Sequence, residues 1–286
     1  MRKAVLLLLT VNRYCFQLFY GFCRFLFYFA AMRVPVSVVI ITHNEALRIS
    51  PVLAAVSWAD EIVVVDSGSS DATVEICLKA GARVVQQDFS GFGQQKQLGV
   101  DRAQHDWILS LDADEVLSVE TAAHVRQLLE KGPDRQAYFI RRQLIFLNKK
   151  FRFGRESRDY QLRFFNRRMA RWNEKQVHEG LEFSGKAGVL KGRVDHYSYP
   201  DLASYLAKFN RYTDLAAAGL VSGNKSRSPC LLALSFPWNL FKIYWLDGNF
   251  LNGFAGFIWS VLSSAYPLVK YAKAIEKRAG FVKAQQ

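Results

Sequence analysis

The apolar positions of this chain come first as unbroken runs and only later as scattered ones. Residues 36–42 carry Val36, Val38, Val39, Ile40 and Ile41 with almost no polar break. A β-branched run of that length predicts a parallel strand buried on both faces. Similar runs over 61–66, 82–86 and 106–112 predict three more strands. Helix signals lie between them. Ser50 and Pro51 supply an N-cap and a first-turn proline for a helix reaching to Val56. Asp71 caps a second helix that Gly81 stops, and another follows Ser118. Strands and helices alternating at this spacing predict the α/β class, with a doubly wound, mostly parallel sheet.

Beyond residue 137 the alternation fails. Segments 137–146, 162–166 and 187–194 read as strands set among basic loops, and from Leu202 the chain turns helical and strongly apolar. The expected organisation is an apolar extension over 1–32, an α/β domain over 33–200 and a helical region over 201–286. In the extension, residues 4–9 are apolar, Arg13 interrupts, and 14–31 are aromatic-rich with Gln17 and Arg24 inside. A spanning helix needs about 20 mostly apolar residues, and this one would bury a charge near its middle. Two explanations stand: a marginal or interfacial membrane anchor, or an extension upstream of a true start at Met32. No small-residue cleavage signal stands out.

Half of the residues are hydrophobic and 22% charged, which excludes a disordered chain. The formal charge of +13 implies a polyanionic partner: nucleic acid, a phosphorylated substrate or anionic lipid. Residues 141–175 hold 12 basic residues against Glu156, Asp159 and Glu174, a one-sidedness that favours a phosphate-facing surface over a merely solvated one. Cys15, Cys23, Cys77 and Cys230 have no C-x-x-C spacing, so neither a disulfide framework nor a zinc site is expected, and a reducing compartment fits.

Ligands of open α/β sheets bind at the carboxyl ends of the strands, near the switch in strand order. Three strands end there in polar groups: Thr42-His43-Asn44-Glu45, Asp66-Ser67-Gly68-Ser69-Ser70-Asp71 and Asp112-Ala113-Asp114-Glu115. A single aspartate after a strand often just caps the next helix, and Asp71 is read that way. Asp112 and Asp114 are sharper. Two carboxylates at i and i+2 leaving a buried strand repel each other unless a cation is present. Mg²⁺ or Mn²⁺ suits such a pair, completing its shell with phosphate oxygens and water.

With these residues in view, a resemblance can be stated. Val38-Val39-Ile40-Ile41-Thr42-His43-Asn44-Glu45, Val64-Val65-Asp66-Ser67-Gly68-Ser69-Ser70-Asp71 and Leu109-Ser110-Leu111-Asp112-Ala113-Asp114-Glu115 resemble the inverting glycosyltransferases of family 2, with the GT-A fold. Residues 91–99 resemble that family's basic Arg-Asn-x-Gly element, with Lys96 and Gln97 where Arg and Asn are more usual. A weaker similarity in Val177-His178-Glu179, Asp195-His196-Tyr197 and Lys208-Phe209-Asn210-Arg211-Tyr212 points to the subgroup of lipopolysaccharide-core β-1,4-glucosyltransferases, whose acceptor is an inner-core heptose.

The resemblance implies roles residue by residue. Asp66 would hydrogen-bond the nucleobase, uracil, with Glu45 and Asp112 near the ribose and Lys96 at base or phosphate. Asp114 would hold the divalent metal on the diphosphate. Arg163, in Gln161-Leu162-Arg163-Phe164-Phe165, is the candidate for a second cationic contact to that leaving group. Glu179 would be the general base that an inverting transfer needs, the plainer alternative being a surface glutamate in a loop. His196 stays outside the assigned set, although it could approach the metal or an acceptor phosphate.

Within residues 230–273, ten aromatics run from Trp238 to Tyr271 after Phe236, the apolar runs broken by Pro237, Lys242 and Asp247. That pattern suits helices lying in a membrane interface better than a span, the alternative being an ordinary buried helical subdomain. The implied activity is transfer of a hexose, glucose from UDP-glucose, to a lipid-linked saccharide at the cytoplasmic face of a bacterial inner membrane. The implied partners are the nucleotide-sugar donor, that acceptor and an anionic membrane surface, without nucleic acid. Two other readings compete. A polyprenyl-phosphate glycosyltransferase would share the front half of the chain, and a basic nucleic-acid-binding adaptor would use the basic stretch but would set Asp66, Asp112 and Asp114 against phosphate.

Overall fold

The computed structural model describes residues 33–173, 180–199, 201–224 and 228–279. The extension over 1–32 and the segment carrying Glu179 therefore lie outside the described residues. The first run becomes β1 (Val36–Thr42). It is followed by α1 (Ile49–Val56), β2 (Glu61–Asp66), α2 (Thr73–Lys79), β3 (Arg83–Gln86), α3 (Phe92–Arg102) and β4 (Trp107–Asp112). The four strands pair in parallel in the order β3-β2-β1-β4. The chain steps outward from β1 to β3 and then returns to the other side of β1. That places a switch point between β1 and β4.

Burial explains why β1 reads as an unbroken apolar run. Val36, Val38 and Ile40 pack with Val52 and Val56 of α1, while Val39 joins Val63, Val100 and Ile108 on the other face. The close approach of α3 depends on Gly99. A methyl there would run into the Val39 side chain and press on Val65, so only glycine fits between helix and sheet. One local signal is displaced: α1 starts at Ile49, after Arg48, and Ser50 makes no side-chain cap. The Arg48 and Ile49 amides both donate to the Glu45 carbonyl, so the turn before the helix supplies what a serine cap would have.

The second half mixes directions. β5 (Glu115–Leu117) leads into α4 (Val119–Lys131), whose Ser118 cap accepts the Thr121 amide. Then come β6 (Ala137–Phe146), β7 (Lys149–Lys150), β8 (Asp159–Asn166), β9 (Ala170–Trp172), β10 (Leu181–Phe183), β11 (Gly188–Val189) and β12 (Val194–His196). β8 lies antiparallel between β4 and β6, and β12 runs parallel to β6 and antiparallel to β5. The single strand expected over 187–194 is in fact two short ones. Both pair with β6, but the chain leaves it at Gly192, which sits against the Ser118 and Thr121 hydroxyls with φ +82°. There the Arg193 carbonyl accepts the Ser118 amide and the Thr121 hydroxyl.

The helical region begins with α5 (Leu202–Ser222), where Asp201 accepts the Ser204 amide. It continues with α6 (Pro229–Phe241), a π turn over Lys242–Leu246, a 3₁₀ turn over Asn249–Asn252 and α7 (Gly253–Arg278). This region is built onto the end of β6. Phe146 meets Tyr205 and Trp259 edge to face at 5.5 and 5.3 Å, and Phe151 meets Trp259 at 5.9 Å. The Asn252 carboxamide accepts the Arg152 amide at 3.0 Å and donates to the Phe153 carbonyl at 3.0 Å. The Trp259 indole donates to Glu156 at 2.8 Å. No described helix is long and apolar enough to cross a membrane.

Gly99→Ala is expected to destabilise the protein by about 1–3 kcal/mol through overpacking against Val39, although alanine is the better helix former. Urea unfolding checks it.

Candidate active site

The carboxyl ends of β1, β2 and β4 lie side by side. Thr42 is opposite Asp66, and Ile41 is opposite Asp112, so the three polar clusters share one edge. The loops after β1 and β2 are tied together. Asn44, at φ 55°, accepts the Ser70 amide and donates its own amide to the Ser69 hydroxyl, and the Ser67 amide donates to the Thr42 carbonyl. Asp71 accepts the Thr73 and Ala46 amides, a structural duty, although the N-cap position of α2 is Ala72 rather than Asp71.

Asp66 is fully buried. Its carboxylate accepts the Gly68 amide at 3.0 Å, the Ser69 amide at 2.9 Å and the Ser69 hydroxyl. The residue expected at the nucleobase is thus engaged in shaping the loop that follows it.

Asp112 sits between two buried cations. Lys96 Nζ is 3.1 Å from one carboxylate oxygen, and Arg163 donates to the other at 2.9 Å. Arg163 also donates to the wholly buried Glu115 at 2.7 Å, and Glu115 accepts the Asp112 amide. Burial works against the charged form of Asp112, yet Arg163 and Lys96 outweigh it and hold the carboxyl well below the usual aspartate range. Lys96 in turn lies over the Trp172 ring at 4.9 Å. Arg163, 4% exposed, thus braces the acidic turn from beneath.

Asp114 faces the other way. The pairing of β12 with β5 sets His196 opposite Glu115, and the Tyr197 amide donates to the Asp114 carbonyl. His196 Nε2 ends 3.4 Å from the Asp114 carboxylate. Burial disfavours the Asp114 charge, and the His196 hydrogen bond and charge more than offset this, lowering its carboxyl below the ordinary value. Glu45 lies within electrostatic reach of the same carboxylate. Burial pushes its carboxyl up, Arg48 at 2.7 Å opposes this, and the nearby Asp114 charge adds to it. Arg48 also donates to the Tyr197 carbonyl, closing the gap between the loops after β1 and β12.

Lys208 of α5 acts electrostatically on both Glu45 and Asp114. Its ammonium stands 5.2 Å from the Tyr199 ring, and among the described residues no carboxylate lies at ion-pair distance from it. Sequence reasoning had named Lys208 only within a longer segment. Arg48, three residues after Glu45, went unread in the sequence because both stand in the turn before α1 rather than on a helix face. The approach of His196 depends on the β12–β5 register, for which there is no local signal.

The basic stretch is not one phosphate-facing surface. Arg142 pairs with Asp159, Lys150 with Asp195, and Arg167 and Arg168 with Asp106, because adjacent strands set these charges against partners. Lys149, Arg152, Arg155, Arg158 and Arg171 remain exposed. Among the described residues no three His, Cys, Asp or Glu side chains gather into a metal cage. The Asp114–His196 pair nevertheless fits a hard cation that draws its remaining ligands from phosphate and water.

Residues 37–187 match the family described as glycosyl transferase family 2. An uncharacterized glycosyltransferase of Rickettsia bellii is 31% identical over 84% of this chain and 86% of its own length. The lipopolysaccharide core biosynthesis glycosyltransferase LpsC of Rhizobium meliloti is 26% identical over 86% of this chain and 94% of its own. Among solved structures, glucosyl-3-phosphoglycerate synthase of Mycobacterium tuberculosis, in complex with Mn²⁺, UDP and glucosyl-3-phosphoglycerate, is 25% identical with a TM-score of 0.34. That match covers 39% of this chain and 44% of the synthase.

Arg163→Met leaves Asp112 and Glu115 buried without their shared cation and is expected to cost about 3–5 kcal/mol in urea unfolding. Adding Asp112→Asn and Glu115→Gln should recover most of the loss. The wild type also carries an acid dependence. Asp112 titrates lower in the folded than in the unfolded chain, so its contribution is complete at neutral pH. It is expected to decline as pH falls below about 4, the ordinary aspartate value. Asp112→Asn should flatten that part of the stability–pH curve.

Proposed function

The chain belongs to glycosyl transferase family 2, and on that premise we propose that it is an inverting, metal-dependent transferase moving glucose from UDP-glucose onto a lipid-linked saccharide. The relative named for lipopolysaccharide core biosynthesis supports that class of acceptor. The reading places the enzyme at the cytoplasmic face of a bacterial inner membrane.

One observation carries the site assignment. Of the two carboxylates leaving β4, Asp112 is neutralised from within by Lys96 and Arg163, whereas among the described residues the Asp114 carboxylate has His196, at 3.4 Å, as its one ion-pair partner, with Lys208 acting at longer range. Asp114 is the carboxylate placed to take an external cation, with His196 as its second protein donor. A divalent metal held there supplies electrostatic stabilisation to the departing diphosphate. Lys208 adds a fixed positive charge on the same side, where negative charge develops as the glycosidic bond breaks. Glu45, positioned by Arg48, faces the ribose, and the loop shaped by Asp66 receives the base through its backbone. Glu179 takes the proton of the acceptor hydroxyl, a role that rests on the family resemblance.

The test is nucleotide release from a panel of UDP-sugars, with and without Mn²⁺ or Mg²⁺. UDP-glucose should be turned over only with metal, and Asp114→Ala should abolish this. Lys208→Ala should lower kcat by about 100-fold while UDP binding persists. Failure of UDP to bind in the presence of metal would sink the transferase reading. Transfer to a lipid phosphate lacking any saccharide would move the activity to the polyprenyl-phosphate class.

A further inference from the structure

The outer face of the helical region is apolar in a way its inner packing does not require. Leu231, Leu234, Trp238, Phe241 and Trp245 recur at steps of three and four residues, which puts them on one stripe of α6 and the π turn. Each is between 48% and 66% exposed. The stripe continues around the corner into Phe250, Leu251, Phe254 and Phe257, all at least 38% exposed. Ring contacts join the two parts of the corner. Trp245 meets Phe250 at 5.2 Å, Tyr244 meets both Phe250 and Phe257, and Phe257 meets Phe254. Between residues 231 and 246 the only charged side chain is Lys242. Exposed apolar surface this continuous marks a docking site rather than ordinary scatter.

The charges beside it identify what docks. The corner at Asn249–Asn252 is bonded to the loop carrying Arg152, Phe153 and Arg155. Arg152, Arg155 and Arg158 are exposed there, together with Phe153 at 44%. The one acid in that loop, Glu156, is occupied by Trp259 and Asn249. We propose that this face rests in the headgroup region of an anionic bilayer, with the aromatic stripe at the acyl boundary and the arginines on lipid phosphate. Interfacial helices combine these two features, aromatics on one side and cations reaching the headgroups. A second copy of the chain fits less well, since a symmetric pairing would set two basic rims against each other. The inference goes beyond the transferase reading and stands without it.

The experiment uses the full chain with vesicles whose lipids are brominated near the headgroup end of the acyl chain. Bromine quenches only tryptophans that enter the bilayer. Trp238 and Trp245 are 60% and 55% exposed, whereas Trp107 and Trp172 are buried. Phosphatidylglycerol-containing vesicles should quench the wild type strongly, and Trp238→Phe/Trp245→Phe should lose most of that quenching while still sedimenting with the vesicles. Leu234→Ser/Phe254→Ser should partition roughly tenfold more weakly, because affinity follows buried apolar area. Pure phosphatidylcholine, or high salt, should weaken binding of every variant. Equal quenching in wild type and double tryptophan variant would overturn the proposal and assign the lipid contact to another part, such as residues 1–31. Absence of quenching, with a dimer that Trp245→Ser dissociates, would give the face to a second copy.

Discussion

The site rests on one buried electrostatic constraint: Asp112 and Glu115 on a single turn, with Arg163 shared between them and Lys96 closing the far side. Charges this deep are tolerated only when paired and hydrogen-bonded. The pairing draws residues from α3, β4, β5 and β8 to one point, so the turn after β4 cannot shift without disturbing all four. It also divides the labour of the two aspartates. Asp112 is neutral in sum with its surroundings, and the remaining negative potential of the turn is concentrated at Asp114.

The mixed half of the sheet encloses one side of that arrangement. A purely parallel sheet would leave the end of β4 open to the side. Here β8 and β6 extend the sheet past β4, and β12 returns along β6 to pair with β5. The return brings His196 to Asp114 and Tyr197 to Arg48, so the edge formed by β1, β2 and β4 gains a wall. α5 then sets Lys208 over Tyr199 at the same opening.

The parallel half was legible because its signals are local. Val36–Thr42 and Glu61–Asp66 were readable to the residue, since a strand buried on both faces cannot hide its composition. The carboxylates at the strand ends were readable for a related reason: polar residues there are out of pattern. What escaped was set by pairing between distant segments. Arg163 reads from the sequence as a second cation for the leaving diphosphate, and only the β4–β8 register shows that it lies beneath Asp112. The split of 187–194 follows from the Ser118 cap meeting Gly192, two positions far apart in the chain. The acceptor-side role of Glu179 rests on resemblance alone.

The bonds from Asn252 to Phe153 and from Trp259 to Glu156 have a geometric consequence. They anchor the helical corner to the loop that runs directly into β8, the strand holding Arg163 under the acidic turn. Among the described residues the corner and the acidic turn are therefore joined through hydrogen bonds and a single strand. Under the proposed bilayer seating, a body so joined would work as a height gauge. On the proposed seating and function, an acceptor sugar too near the lipid or too far from it would not reach Asp114, so its reach above the membrane would select acceptors alongside its chemistry.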